Sequence, residues 1–269
     1  MGKKVFPENN RMKKAELKAL IFDVDGTLTD NEVHGHRVAF NLAFQDAGLD
    51  WFWDVEIYER LLEVFGGKER IRYYIEDFLT HFNAPKDLDG FILDLHKSKT
   101  AHYLALLKSG ALPLRPGVAR LIREARAAGL RLAIASTTTL ENAELLIKMS
   151  LGEECLEWFD VMACGDVVAN KKPAPDIYLY ALEQLGLPAA ECLVFEDTGA
   201  GLVSAQAAGL TTVITVNDST RDEDFSGAAI VLDQLGEPEQ GFEVMQGDAG
   251  GATLVDVELL RRIHRKSAA

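Results

Sequence analysis

Two aspartates one residue apart, in Phe22-Asp23-Val24-Asp25-Gly26-Thr27-Leu28, form the sharpest chemical feature of the chain. They follow an apolar run at 19–23 that reads as a strand. In extended chain the side-chain direction repeats every second residue, so both carboxylates point the same way. Gly26 then permits a sharp exit. Two acids aimed into one crevice repel, and the relief is a bound cation or a proton held on one of them. An isolated D-x-D is also a common water-exposed strand end or helix cap, so the reading depends on what other strand ends supply.

Three further segments bear on it. The strand at 131–136 ends in Ser136-Thr137-Thr138, whose hydroxyls and backbone N–H groups precede a helix and suit a phosphate, although alone they read as an N-cap. Lys171-Lys172-Pro173-Ala174-Pro175-Asp176 places a cation in a loop stiffened by prolines, which alone reads as a surface turn. The strand at 192–196 runs into Glu196-Asp197-Thr198-Gly199, a second acidic pair able to complete an oxygen-rich Mg²⁺ site with Asp23. Gly199-Ala200-Gly201 and Ser204 imitate a dinucleotide fingerprint, but two carboxylates would sit where a pyrophosphate must approach. The chain has no G-x-x-x-x-G-K-[ST].

Taken in order, D-x-D-G-T, strand-end Ser, Lys-Pro and strand-end Glu-Asp resemble the four motifs of the haloacid dehalogenase superfamily over roughly residues 18–216. The segment between the first two motifs resembles the inserted helical cap of its β-phosphoglucomutase-like members. By that resemblance Asp23 is the nucleophile and Asp25 the general acid and base. Ser136, Thr137 and Lys172 bind phosphate, and Asp23, Asp25 and Asp197 ligate Mg²⁺, Asp25 through its backbone carbonyl, with Glu196 supporting the metal. Threonine at 198 stands where serine is more usual.

Within the insertion, Gly66-Gly67-Lys68-Glu69-Arg70 is a glycine turn opening a helix with two cations, suited to a phosphate remote from the one cleaved. With Glu32, His36-Arg37, Trp51-x-Trp53-Asp54 and Tyr58 it resembles the CbbY branch, phosphatases of xylulose 1,5-bisphosphate, a misfire product that inhibits Rubisco. That resemblance implies cap contacts to substrate from Glu32, His36, Tyr58, Gly66, Lys68 and Arg70. The ordinary alternatives are packing for the aromatics, capping for His36 and, for Lys97 and Lys99, a solvated helix face.

The elements that must position these groups are legible in outline. Strands at 19–23, 131–136, 160–164, 192–196 and 211–216 alternate with helices at 116–128, 140–149, 175–185 and 201–208, the pattern of a doubly wound, Rossmann-like parallel sheet. The interval 31–112 breaks that rhythm with apolar spacings of three and four, giving helices at 37–47, 55–64, 69–82 and 88–107. The expected organisation is therefore a tag-like extension over 1–14, an α/β core at 15–30 and 113–236, a helical cap at 31–112, and a tail at 237–269 with a helix near 255–265. An insertion after the first strand lies at the sheet's carboxyl edge, where ligands of such folds bind.

Composition narrows the field. Lys and Arg number 28 against 42 Asp and Glu, a net charge of −14 that disfavours nucleic acid and anionic membranes as partners. No apolar stretch is long enough to span a bilayer, and the start lacks the apolar core of a secretory signal. Three cysteines without C-x-x-C spacing fit a reducing compartment, hence the cytoplasm or, in a photosynthetic eukaryote, the plastid. The expected partner is a small sugar phosphate, with a monomer admissible. The leading expectation is a Mg²⁺-dependent sugar-bisphosphate phosphatase working through an aspartyl-phosphate. The rivals are a phosphomutase using the same aspartates and a non-catalytic module that only binds Mg²⁺ or phosphate.

Overall fold

In the computed structural model, residues 15–64, 66–79 and 82–267 are described; the extension expected over 1–14 lies outside them. The apolar run after residue 18 becomes the central strand because both of its faces are covered. In β1 (Ala19–Phe22), Leu20 and Phe22 face one helical layer while Ala19 and Ile21 face the other. Around it lie β2 (Arg131–Ser136), β3 (Phe159–Cys164), β4 (Cys192–Glu196), β5 (Thr211–Thr215), β6 (Ile230–Leu232) and β7 (Val244–Gln246), in the order β3-β2-β1-β4-β5-β6-β7. All neighbours are parallel except β7, which runs antiparallel to β6. This is a Rossmann-like α/β sheet. Its strand order reverses at β1, so the carboxyl ends of β1, β2 and β4 open onto one crevice.

The insertion has a core of its own. A π-helical turn, Glu32–His36, leads into α1 (Arg37–Asp46), followed by α2 (Val55–Leu61), α3 (Gly67–Tyr73) and α4 (Leu88–Lys108). Phe40, Phe44, Trp51, Trp53, Tyr58 and Ile71 make up much of its centre, with Trp53 ring-packed on Phe40 and Phe44. Asn41 pins the Trp53 backbone by donating to its carbonyl and accepting from its N–H, both at 2.8 Å. The single helix expected over 69–82 is instead α3 running straight into a second π turn, Tyr74–Phe78.

The two chain crossings between cap and core are stitched together. Thr29 bridges Leu114, its hydroxyl donates to the Pro113 carbonyl at 2.8 Å, and the Arg115 N–H donates to the Leu28 carbonyl at 2.8 Å. The core then continues through α5 (Val118–Ala127), α6 (Leu140–Leu151), α7 (Asp176–Leu185), α8 (Gly199–Ala207) and α9 (Val257–Ser267). Helices α5, α6 and α9 cover the Leu20/Phe22 face, and α7 with Ala205 of α8 covers the other. Among the described residues no helix is long and apolar enough to cross a membrane.

The tail expected from 237, with its helix, packs onto the core. β7 extends the sheet, and Val257, Leu259, Leu260 and Ile263 of α9 join the same cluster as Leu20 and Phe22. β7 escaped notice because it has three residues, all water-exposed, and so carries no alternation. β6, also three residues long, is fully buried but too short to stand out from its flanks. Leu260 has no exposed surface, so Leu260→Ala should lower global stability by about 2–5 kcal/mol in urea denaturation. A merely appended tail would give a change within about 0.5 kcal/mol.

Candidate active site

β1 and β4 lie side by side in register, Phe22 opposite Phe195. The residues that follow them, Asp23 and the pair Glu196 and Asp197, are therefore delivered to the same place. The Asp23 N–H donates to the Phe195 carbonyl at 3.0 Å, which locks the two strand ends together. Lys172, from the loop before α7, reaches in with its ammonium donating to Asp23 Oδ1 at 2.6 Å, Glu196 Oε1 at 2.5 Å and the Ala135 carbonyl at 3.1 Å. All four side chains are buried. The Tyr178 hydroxyl donates to Glu196 Oε1 at 2.5 Å, and its ring lies 5.1 Å from the Lys172 ammonium.

Burial strains the charges here. It pushes Asp23 up to about 7, with Glu196 and Asp25 adding to the rise and Lys172 opposing it. It pushes Asp197 well up too, reinforced by the charges of Asp23 and Glu196 and opposed by Arg115 and Thr27. Lys172 is pulled the other way: burial alone would lower it, but Asp23 and Glu196 raise it, so it stays protonated. The carboxylates of Asp23, Glu196 and Asp197 offer oxygens within 4.8 Å of one another. Three carboxylates against one ammonium leave an excess of negative charge, and a hard, oxygen-only donor set of this kind fits a divalent cation such as Mg²⁺. Asp197 is fixed for such a role, since Thr27 Oγ1 donates to its Oδ1 at 3.0 Å and Asn217 Nδ2 to its Oδ2 at 2.8 Å.

Asp25 faces the cap instead of this cluster. Its Oδ1 accepts from Asn31 Nδ2 at 2.7 Å and lies 3.0 Å from His36 Nε2. Burial opposes its ionisation, yet His36, Asn31 and the Lys99 charge hold the carboxyl well below the usual range. The Lys99 ammonium sits 2.7 Å from His36 Nδ1, so Lys99, His36 and Asp25 form a chain from the cap into the core. Lys99 is 5% exposed, and burial brings it down to about 8. The expectation that Lys97 and Lys99 share a solvated face holds for Lys97 alone. The signal was present in the sequence: Ile92, Leu95, Lys99, Tyr103 and Leu107 are one buried helical stripe, and Lys99 is its only charged member.

Between cap and core lies a cleft in two lobes that share Asp25, Glu32, Gly66, Arg70 and Thr137. The larger, about 480 Å³, is lined by Asp23, Ser136, Thr137, Lys172, Glu196 and Asp197 on the core side and by Glu32, Gly66 and Arg70 on the cap side. The smaller, about 260 Å³, takes in His36, Lys68, Lys99 and Lys171. Ser136 and Thr137 stand at the end of β2, and the Thr138 N–H donates to Ser136 Oγ at 3.3 Å. Gly66 turns with φ +99°, a conformation glycine adopts freely. Arg70 donates through Nε to the Leu61 carbonyl at 3.1 Å and through Nη1 to the Tyr58 hydroxyl at 2.8 Å.

One expected cap contact is placed differently. Tyr58 has no exposed surface and lines neither lobe. Its hydroxyl donates to Glu32 Oε2 at 2.5 Å and accepts from Arg70, so it fixes those two side chains; a ring this apolar is drawn into the cap core and leaves only its polar tip at the edge. Lys68 lines the smaller lobe, where it pairs with Asp166 at 2.8 Å, which also binds Lys171 at 2.7 Å. The sequence reading missed Thr27, Asn31, Lys99, Arg115, Tyr178 and Asn217. Apart from Lys99, and from Thr27 at the end of D-x-D-G-T, none carries a local signal, because each meets its partner only in the folded chain.

Residues 17–209 match the family model of haloacid dehalogenase-like hydrolases. The chain is 53% identical over 213 residues to Protein CbbY of Rhodobacter capsulatus, covering 79% of this chain and 91% of the relative. A crystal structure of a mutant CbbY from Rhodobacter sphaeroides in complex with xylulose-(1,5)bisphosphate superposes with a TM-score of 0.75 at 45% identity, over 81% of this chain and 94% of that one. β-Phosphoglucomutase from Clostridium difficile, at 19% identity and a TM-score of 0.70 over 93% and 98% of the two chains, shares the fold.

Between pH 8 and 10.5 the unfolded chain retains a Lys99 proton that the folded chain has released, so this group makes stability rise with pH across that window. Lys99→Met should abolish the rise and stabilise the protein at neutral pH by on the order of a few kcal/mol. Urea denaturation of both proteins on either side of the window measures it.

Proposed function

This chain belongs to the haloacid dehalogenase-like hydrolase family and is a phosphatase, and from that premise we propose that its substrate is a small sugar bisphosphate, xylulose 1,5-bisphosphate foremost, cleaved with Mg²⁺ in the Asp23, Glu196 and Asp197 cluster. The observation that carries the reading is the meeting of Asp23, Asp25 and Lys172 on one side of the cleft with Arg70 and Glu32 on the other. One phosphate can then be held at the reacting carboxylate and a second at the cap. The likeness to a CbbY that binds xylulose-(1,5)bisphosphate supports the same choice.

In this reading an Asp23 oxygen forms a bond to phosphorus as the ester P–O bond breaks in line, giving an aspartyl-phosphate. Asp25 delivers a proton to the departing sugar oxygen. It is ionised without substrate, and the negative phosphate brought beside it raises its proton affinity enough for it to act as an acid. Returned to the carboxylate, Asp25 takes a proton from water as that oxygen attacks phosphorus, which frees phosphate and restores Asp23. Lys172, with the backbone beyond Ser136 and Thr137, balances charge on the phosphoryl oxygens. Mg²⁺, when bound, supplies the remaining charge neutralisation. Glu32 accepts from sugar hydroxyls, and His36 holds Asp25 in place. In this reading the enzyme works in the cytoplasm, or in the plastid if the source is a photosynthetic eukaryote.

A phosphate-release screen over xylulose 1,5-bisphosphate, ribulose 1,5-bisphosphate, fructose 1,6-bisphosphate and glucose 1-phosphate should single out the first. Isomerised sugar phosphate without release would mean a mutase. Asp23→Asn should abolish turnover; unchanged turnover would defeat the nucleophile assignment. Arg70→Ala should cost about 1.5–3 kcal/mol, roughly 10- to 150-fold in kcat/KM, on a bisphosphate. Equal losses on a monophosphate would make Arg70 a packing residue only.

A further inference from the structure

One guanidinium outside the cleft bonds four carbonyls on three stretches of main chain. Arg115, on the chain's return from cap to core, donates through Nη1 to the carbonyls of Gly26 and Thr215, the latter at 2.9 Å. Through Nη2 it donates to the carbonyls of Val216, at 2.5 Å, and Asp233, at 2.7 Å. No carboxylate pairs with it among the described ion pairs, so its directional bonds all go to backbone.

Two of those carbonyls belong to the peptides that carry Thr27 and Asn217. These are the residues whose side chains donate to the two oxygens of Asp197. Gly26 lies so close that a Cβ there would fall 1.9 Å from Asp197 Oδ2, so a small shift of either peptide changes how Asp197 is aimed. We propose that Arg115 is a positioning residue for the divalent-cation site: by clamping the Gly26 and Val216 carbonyls it sets the Thr27 and Asn217 donors that orient Asp197. Its own N–H is tied to Leu28 and its neighbour Leu114 to Thr29. The same residue therefore fixes the cap crossing and the cation site in one frame.

The inference rests on reading the acidic cluster as a cation site, and titration of Mg²⁺ into the full chain by calorimetry tests both separately. Arg115→Lys keeps the charge but not the fork, and Arg115→Met removes both. Each should weaken Mg²⁺ binding by about tenfold or more, while turnover at saturating Mg²⁺ recovers towards wild type for Arg115→Lys. In a Thr27→Val, Asn217→Ala background, Arg115→Lys should weaken binding further by less than about twofold, because its effect passes through those two residues. Wild-type Mg²⁺ affinity in Arg115→Lys, or an undiminished effect in the double-variant background, overturns the proposal whatever the melting temperatures show. If Arg115→Met does not fold, Arg115→Lys decides. Failure of the wild-type chain to bind Mg²⁺ overturns the cation reading itself, and the proposal with it.

Discussion

Asp23, Glu196 and Asp197 are held within a few ångströms of one another, out of water, by the pairing of β1 with β4. Such crowding is unfavourable on its own, since burial and mutual repulsion both resist ionisation. Lys172 relieves part of it by bonding two of the three carboxylates. The remaining negative charge is what would draw a cation to the site and, in the proposed function, phosphate through it. Much of the surrounding structure keeps these carboxylates from relaxing apart: the Asp23 N–H bond to Phe195, the Tyr178 hydroxyl on Glu196, and the Thr27 and Asn217 donors on Asp197.

Asp25 is governed differently. Although it lies two residues from Asp23, its partners come from the first turn of the insertion and, through His36, from the long helix α4. The same insertion supplies Glu32 and Arg70, tied together by the Tyr58 hydroxyl. The partners that hold Asp25 and the residues proposed to recognise substrate are thus both supplied by the insertion. Its aromatic core is separate from the core beneath the sheet. Asp25's partners and Glu32 and Arg70 are therefore carried by the same element of the fold.

Polar partners account for most of what was not legible in the sequence. Asp23, Glu196 and Lys172 could be read because each stands at the end of an apolar run or beside prolines, where local pattern announces a strand end or a stiff loop. Asn31 and Asn217 are ordinary loop residues in the sequence, Thr27 is only the tail of the D-x-D-G-T motif, and the bonds of the three join segments up to 170 positions apart. Lys68 shows the opposite difference. It stands in the expected glycine turn but is held by Asp166, a residue from the loop after β3 that no local pattern connects to it.

By itself the sequence determined the five longer strands and most of the helices, that an insertion interrupts them after β1, and which acids and lysine could serve phosphate chemistry. These follow from periodicity and from residue types at element ends, which are local properties. The tertiary structure alone decided that the C-terminal helix belongs to the core, that Tyr58 supports instead of contacting, that Lys99 is buried against His36, and that Arg115 joins the cap crossing to the acidic cluster. Those outcomes depend on which surfaces meet and which buried polar atoms find partners.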